Sequence, residues 1–174
     1  MILLIAKRTV VSQLVVHPFE PVYNSYSRIL ILGTFPSVKS REENFYYGHP
    51  QNRFWRVLSC LTGHPVPESI EEKKALLSCE GIALWDVLKS CDIENSKDNT
   101  IMNPVANDLS IIFENCHIEA VFTNGKKAGE LYRRYCYPYI NMKCHTLPST
   151  SPANGHYSLE KLMWEWSVIL KYLK

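Results

Sequence analysis

An apolar run, ILILG at residues 29–33, ends abruptly in the turn TFPS at residues 34–37. Consecutive apolar residues without alternation are typical of a strand buried on both faces, as in a parallel sheet covered by helices. In open α/β sheets, ligands bind at the carboxyl ends of the strands. The run therefore predicts an α/β fold whose binding site begins at Gly33.

Helical and extended segments alternate along the rest of the chain, which favours an α/β sandwich with a mostly parallel sheet. No repeat or linker divides residues 1–174, so one domain is expected. The polar, turn-rich stretch 90–104 is predicted to be a mobile loop. Strands are predicted at 28–34, 82–87, 117–124 and 144–147, and helices at 52–61, 68–78, 106–115, from 126 onward, and at 158–173.

Charge and cysteine usage exclude several classes of protein. The formal net charge of +2 is too small to indicate nucleic-acid binding by itself, so any basic face must be local. The six cysteines have irregular spacing that fits neither a zinc site nor an iron–sulfur cluster, and we interpret them as reduced, mostly buried thiols of a cytoplasmic protein. Lys7 and Arg8 interrupt the apolar start of the chain, which argues against a signal peptide or a membrane span.

Three predicted strand ends carry glycine, proline, small hydroxyls or amides: GTFPS at 33–37, FTNGKK at 122–127 and LPSTSPAN at 147–154. A parallel sheet brings such ends to one edge, which predicts a binding site there. Lys126 and Lys127 begin a helix, where cations are unfavourable for the helix dipole, so an anionic partner is indicated.

The segment FYYGHPQNRFWR at residues 45–56 supplies further candidates, each with a structural alternative. Tyr47 can stack on a base or belong to the core. Asn52 can act in chemistry or cap the following helix, and His49 can simply order its loop. Arg53 can reach a phosphate or lie on a solvated helix face. Phe54 and Trp55 are assigned to the core, and Ser37, in the first turn, is a candidate helix cap.

Carboxylates are missing from the first two of these strand ends, so a mechanism built on a carboxylate base is poorly supported. No serine lies in a nucleophile-elbow motif, and no cysteine pairs with a histidine in a recognisable dyad.

The strings HPFEP, LILGTFPS, SREENFYYGHPQNRFW and LPSTSPAN, in this order and spacing, resemble the uracil-DNA glycosylase superfamily, most closely its hypoxanthine-DNA glycosylase branch. The resemblance implies a three-layer α/β/α sandwich around a short, mostly parallel sheet, here of the four predicted strands. It also implies a monomeric enzyme without metal or cofactor. Such an enzyme flips a deaminated base out of duplex or single-stranded DNA and hydrolyses its N-glycosidic bond.

By this resemblance, Phe35 occupies the position at which relatives carry an Asp or Asn that positions water. The catalytic role passes to Asn52, and Tyr47 stacks on the flipped base. The candidate base-binding residues are Gly33, Thr34, Phe35, Tyr47, His49 and Ser149, and the candidate DNA-binding residues are Ser37, Arg53, Lys126, Lys127, Ser151, Pro152, Ala153 and Asn154.

Two other functions stay open at this point. A uracil-preferring glycosylase has the same motifs, because these motifs do not specify the base. The absence of a carboxylate in the first motif also allows a nonenzymatic binder of damaged DNA or of a nucleotide.

Overall fold

The computed structural model describes residues 13–173, and the apolar start of the chain before Gln13 lies outside the described residues. The strands are β1 (Gln13–Val16), β2 (Ile29–Gly33), β3 (Ile82–Asp86), β4 (Leu88–Ile93), β5 (Met102–Ala106), β6 (Ala120–Asn124) and β7 (Cys144–Leu147). The helices are α1 (Val38–Glu43), α2 (Phe54–Thr62), α3 (Ile70–Cys79), α4 (Ser110–Phe113), α5 (Lys126–Tyr135), α6 (Tyr137–Ile140) and α7 (Leu159–Trp166).

The central sheet has four strands in the order β3-β2-β6-β7, and all three neighbouring pairs are parallel. Every residue of β2, β3 and β6 is buried. Successive side chains of a strand point to opposite faces, so both faces of the sheet are covered. The predicted three-layer α/β/α class with a short parallel sheet is confirmed.

A second, antiparallel sheet has the order β1-β4-β5, and it overturns the prediction of a loop at residues 90–104. That stretch contains most of β4, a 3₁₀ turn at Asp98–Thr100 and the start of β5. The sheet is half exposed, so its strands carry polar residues that imitate a loop composition. Because β5 extends to Ala106, the helix predicted at 106–115 is reduced to α4.

Helix α3 corresponds to the helix predicted at 68–78 and carries clear signals at both ends. Ser69 and Glu72 form a reciprocal capping box at the start of α3, and Gly81 follows the end of that helix with a φ of +67°. The final helix, in contrast, is shorter than predicted, because a 3₁₀ turn at Ser167–Lys171 replaces its last part. None of the helices in residues 13–173 is long and apolar enough to cross a membrane.

The cysteines correct one expectation. All six are unbonded, as predicted, but only Cys91 and Cys136 are buried, while Cys60 and Cys79 are exposed. The description of these thiols as mostly buried was therefore wrong.

Candidate active site

A cleft of about 1250 Å³ opens at the carboxyl edge of the central sheet. All three predicted strand ends and part of the 45–56 segment contribute to its wall. The structure thus brings together most of the predicted site residues: Gly33, Thr34, Phe35, Ser37, Tyr47, His49, Asn52, Lys126, Ser149, Ser151, Pro152, Ala153 and Asn154. Arg53 and Lys127 do not line this cleft.

Asn52 is held by a network with Thr150 and Asn124, which we call the amide cluster. The Thr150 hydroxyl donates to Asn52 Oδ1 over 2.9 Å, and Asn124 Nδ2 donates to that hydroxyl over 2.9 Å. The Thr150 backbone N–H donates to Asn124 Oδ1, also over 2.9 Å. Thr150 is fully buried and Asn124 is nearly so, so solvent does not compete for these bonds.

The orientation of the Asn52 amide follows from one further bond. The backbone N–H of Phe54 donates to Asn52 Oδ1 over 3.0 Å. A backbone N–H can only donate, so the atom that it meets must be the amide oxygen. That oxygen accepts two hydrogen bonds, whereas Nδ2 has no partner among residues 13–173. At the cleft, Asn52 therefore offers N–H donors.

The helix-cap interpretation of Asn52 is half right. Helix α2 begins at Phe54 with Arg53 in the N-cap position, and the Arg53 side chain makes no capping bond. Asn52, one residue earlier, supplies the oxygen that satisfies the first helical N–H. One side chain thus caps the helix with its oxygen and faces the cleft with its nitrogen.

Tyr47 has a strained backbone and an unsatisfied hydroxyl. Its φ is +53°, a left-handed conformation that costs a bulky residue roughly 1–2 kcal/mol. The ring stacks on Phe54 with centroids 3.9 Å apart, and its hydroxyl is buried without a hydrogen-bond partner among the described residues. Burial raises the pKa of this phenol well above its ordinary value, and the charge of Asp86 adds to the shift. Tyr47 thus presents a neutral, preformed ring to the cleft.

Arg53 requires a correction. Its Nε donates to the Thr150 carbonyl over 3.3 Å and its Nη2 to the Ser151 and Asn154 carbonyls over 2.7 and 3.0 Å. Its Nη1 donates to the Tyr157 carbonyl. These bonds occupy most of the guanidinium donors, so Arg53 braces the loop after β7 and is not available to a DNA phosphate.

The braced loop exposes only part of the predicted DNA-contacting segment. Asn154 is half-buried, and its Nδ2 donates to the Ser149 carbonyl over 2.9 Å. Pro152 and Ala153 are exposed and form the tip. Gly125 permits the loop's approach, since a Cβ there would lie 3.1 Å from Ser149 Cβ. The exposed tip of this loop is therefore formed by Pro152 and Ala153, whereas the Asn154 side chain is tied back to the loop itself.

Two candidates have the structural roles that the sequence offered as alternatives. The Ser37 hydroxyl accepts the N–H of Ser40 over 3.1 Å and so caps α1. His49 Nδ1 accepts the N–H of Gln51 over 3.1 Å and orders its own loop. Both nevertheless line the cleft.

Lys126 and Lys127 lie at the start of α5, as predicted. Neither forms an ion pair with a residue of the part of the chain described here, although the charge of Lys127 acts on Asp98 and opposes the rise in its pKa. Lys126 is exposed and lines the cleft, while Lys127 is half-buried.

The sequence reasoning missed two carboxylates, Asp86 and Asp98, which also line the cleft. Asp86 ends β3 beside Gly33, its partner in the parallel register, and is 4% exposed. Asp98 lies in the 3₁₀ turn between β4 and β5, where the Thr34 hydroxyl donates to its Oδ2 over 3.0 Å. Asp86 lies near the end of the strand predicted at 82–87, but only the strand order places it beside Gly33. Together with Tyr47 we call these residues the acid cluster.

Comparisons with known proteins identify the family of this chain. Residues 20–174 match the model of the uracil DNA glycosylase superfamily. The chain belongs to that superfamily. The predicted DNA glycosylase class is therefore confirmed, and DNA is the substrate of such enzymes.

Two relatives from Methanosarcina species carry the name hypoxanthine DNA glycosylase. The Methanosarcina acetivorans protein is 35% identical over 163 residues, which are 88% of this chain and 97% of the relative. The Methanosarcina barkeri protein is 38% identical over 115 residues, 64% of this chain and 72% of the relative. A solution NMR structure from Methanosarcina acetivorans, described as a candidate uracil DNA glycosylase, superimposes with a TM-score of 0.78 at 32% identity. It covers 91% of this chain and 98% of its own.

Potential metal ligands outside the cleft form one group among the described residues. A nitrogen of His64, the sulfur of Cys79 and a carboxylate oxygen of Glu80 lie within 4.8 Å of one another. His64 Nε2 and Glu80 Oε1 are 2.7 Å apart, as in a hydrogen bond. None of the three residues lines the cleft, so the group has no part in the site described above.

Proposed function

We propose that this protein excises hypoxanthine from deoxyinosine in DNA by hydrolysing the N-glycosidic bond, leaving an abasic site. The observation that carries the proposal is the Asn52 amide, whose oxygen is saturated within the protein and whose nitrogen is free at the cleft. The names of the two Methanosarcina relatives support the choice of base.

Base recognition follows from the polarity of the groups at the cleft. Hypoxanthine presents acceptors at O6 and N7, whereas adenine presents an amine in place of O6. N–H donors of Asn52 match hypoxanthine and oppose the adenine amine. The ring of Tyr47 offers a stacking surface for the flipped base, an interaction worth about 1–3 kcal/mol.

The chemistry requires stabilisation of separated charges. As the bond between C1′ and the base breaks, positive charge develops on the sugar and negative charge on the base. Fixed dipoles in a cleft that excludes water stabilise such charges without reorganisation. Asn52 can donate a hydrogen bond to the departing base or to the oxygen of the attacking water, and its fixed orientation makes either bond available in advance.

Contacts to the DNA backbone are proposed for Lys126, Lys127 and the exposed loop tip at Pro152 and Ala153. Unstacking a base costs a few kcal/mol and is least costly for a mispaired base. We therefore expect faster excision from an inosine·thymine mismatch or a single strand than from a stable pair.

The test is single-turnover incubation with labelled duplexes that carry deoxyinosine or deoxyuridine, followed by alkali to break abasic sites. Cleavage at inosine supports the proposal. Cleavage at uracil alone would favour the second candidate, uracil excision, which the description of the NMR structure supports. Lesion binding without base release would indicate a nonenzymatic binder.

We also propose that the protein acts as a monomer without a metal. Excision that is unchanged by a chelator, and a single-chain mass by light scattering of the active fraction, are the expected results.

A further inference from the structure

Hydrolysis of a glycosidic bond needs an acceptor for the proton that the attacking water loses. Asn52 does not supply one, since its amide oxygen already accepts two hydrogen bonds and its free nitrogen only donates. If the proposed hydrolysis occurs in this cleft, another group must take the proton.

Asp86 has the position and the free atom for this role. Its Oδ2 is bonded to His17 over 2.9 Å, whereas its Oδ1 makes no hydrogen bond within residues 13–173. The side chain is 6% exposed, and its residue forms part of the cleft wall. A Cβ at Gly33 would overlap Asp86 Oδ1, so glycine at the end of β2 is what admits the carboxylate to this place.

His17 holds the carboxylate as a neutral donor. The N–H of Phe19 donates to His17 Nδ1 over 3.4 Å, so Nδ1 carries no proton and Nε2–H donates to Asp86 Oδ2. The His17 side chain is 3% exposed, and its ring is packed edge-on against Phe19 and Phe35. The imidazole is therefore fixed in a single orientation.

No lysine or arginine of the described chain forms an ion pair with Asp86. Asp86 lies close enough to the other two members of the acid cluster to contribute to the raised pKa of Tyr47 and of Asp98. Asp98 is the weaker candidate for the same role, since it lies on a turn and the positive charge of Lys127 acts on its carboxylate.

We propose that Asp86 is a second catalytic residue, the general base of the hydrolysis, and that His17 is its positioning residue. Water oxygen bonds to C1′ and a water proton passes to Asp86 Oδ1. The bond between C1′ and the base nitrogen breaks, and its electron pair leaves with the base. The proton then passes from Asp86 to the released base, so the products are neutral hypoxanthine and an abasic site.

The experiment separates chemistry from binding in Asp86→Asn, which keeps the size of the side chain and removes the base. General-base catalysis typically contributes 10²- to 10⁴-fold, so we expect single-turnover excision of hypoxanthine to fall by at least about 100-fold. Affinity for a duplex carrying uncleavable 2′-fluoro-deoxyinosine should stay within about twofold of the wild-type value, because the cleft is otherwise intact. The matched control is Asp108→Asn, an exposed carboxylate outside this cleft, which should excise at the wild-type rate.

His17 tests the positioning role. We expect His17→Ala to lose about 10- to 100-fold in rate with unchanged binding, and His17→Gln, whose amide N–H can replace Nε2–H, to recover most of that loss. If Asp86→Asn does not fold, judged by its unfolding transition, His17→Ala decides the matter by the same assay.

Several outcomes would overturn the assignment. Among them are an Asp86→Asn rate within about threefold of wild type, equal losses of rate and binding, and a large loss in Asp98→Asn but not in Asp86→Asn. An unchanged His17→Ala rate would count against it in the same way. If the wild-type protein releases no base from a duplex carrying deoxyinosine or deoxyuridine, that result would instead overturn the proposed function on which this inference rests.

Discussion

The amide cluster and the acid cluster line the same cleft but differ in how their polar atoms are satisfied. In the amide cluster, Thr150 donates to Asn52 while Asn124 exchanges two bonds with Thr150. In the acid cluster, the Tyr47 hydroxyl has no partner among the described residues, and Asp86 keeps one oxygen unbonded. Hydrogen bonds within the protein hold the Asn52 oxygen in place and leave its nitrogen for substrate, whereas unpaired buried groups cost stability until a ligand supplies a partner. Stabilising hydrogen bonds therefore position the donor nitrogen of Asn52, whereas the unpaired atoms of Tyr47 and Asp86 lower the stability of the folded protein.

Asn52→Ala removes the donor that the amide cluster holds in place, and it should have the largest effect on activity. Losing one fixed donor to developing charge typically costs about 10²- to 10³-fold in rate. Single-turnover excision should fall by that factor, while most of the binding to the 2′-fluoro-deoxyinosine duplex is retained, because the Tyr47 ring and the proposed contacts to the DNA backbone are unchanged. Asn115→Ala, which truncates an exposed asparagine far along the chain, is the control. Near-normal cleavage by Asn52→Ala would remove Asn52 from the mechanism.

Tyr47→Ala tests the stacking surface of the acid cluster. Base–aromatic stacking is worth about 1–3 kcal/mol, so affinity for the uncleavable lesion duplex should weaken by roughly 5- to 150-fold. Tyr47→Phe keeps the ring and removes the buried, unsatisfied hydroxyl, so it should bind normally and unfold at a higher denaturant concentration. Unchanged lesion binding by Tyr47→Ala would assign the ring to the core instead.

Thr150→Val tests whether the amide cluster acts through orientation. Valine has the same shape but leaves Asn52 Oδ1 and Asn124 without their shared partner. We expect a loss of about tenfold in excision rate at unchanged lesion affinity. The loss should be smaller than that of Asn52→Ala, because the Phe54 N–H still donates to Asn52 Oδ1. Thr150→Ser retains the hydroxyl and should stay near the wild-type rate. If both variants are equally slow, the methyl group and not the hydrogen bonds carries the effect.

The smallest expected effect concerns stability and pH. Burial raises the pKa of Asp98, against the Thr34 hydrogen bond, and the nearby charge of Asp86 adds to the increase. Ionisation of Asp98 therefore lowers the free energy of unfolding as the pH rises through that raised pKa, because burial disfavours the charged form in the folded state. Asp98→Asn should increase the free energy of unfolding by about 1 kcal/mol near pH 7 and leave it unchanged near pH 3.

Urea unfolding at the two pH values measures this difference. Asp108→Asn serves as the contrast, because hydrogen bonds from Ser110 lower the pKa of Asp108 and its removal should give no stabilisation at neutral pH. A destabilised Asp98→Asn at neutral pH would mean that the ionised carboxylate is satisfied in the folded state.

Much of the fold was predictable because its signals are local. Strand β7 lies at the predicted residues 144–147, and α3 lies close to the helix predicted at 68–78. Strands β4 and β5 were missed because backbone hydrogen bonds hold this half-exposed antiparallel pair together. Its polar side chains therefore do not show the hydrophobic alternation that predicts a strand.

The site was predictable in its members and less so in their roles. The Arg53 side chain is chemically suited to bind a phosphate. Its partners are instead carbonyls about 100 residues later in the chain, which no local sequence pattern reveals. Asp86 looked like an ordinary strand end, and it enters the cleft only because β3 pairs in register with β2.

The buried strands, the order of the motifs and the membership of the superfamily can be read from the amino-acid sequence, since these depend on patterns within short segments. Which atom of Asn52 faces the cleft, and which carboxylate lies beside Gly33, is seen only in the folded chain. Hydrogen-bond direction and strand register join residues that are distant in the chain, and for that reason only the folded arrangement specifies them.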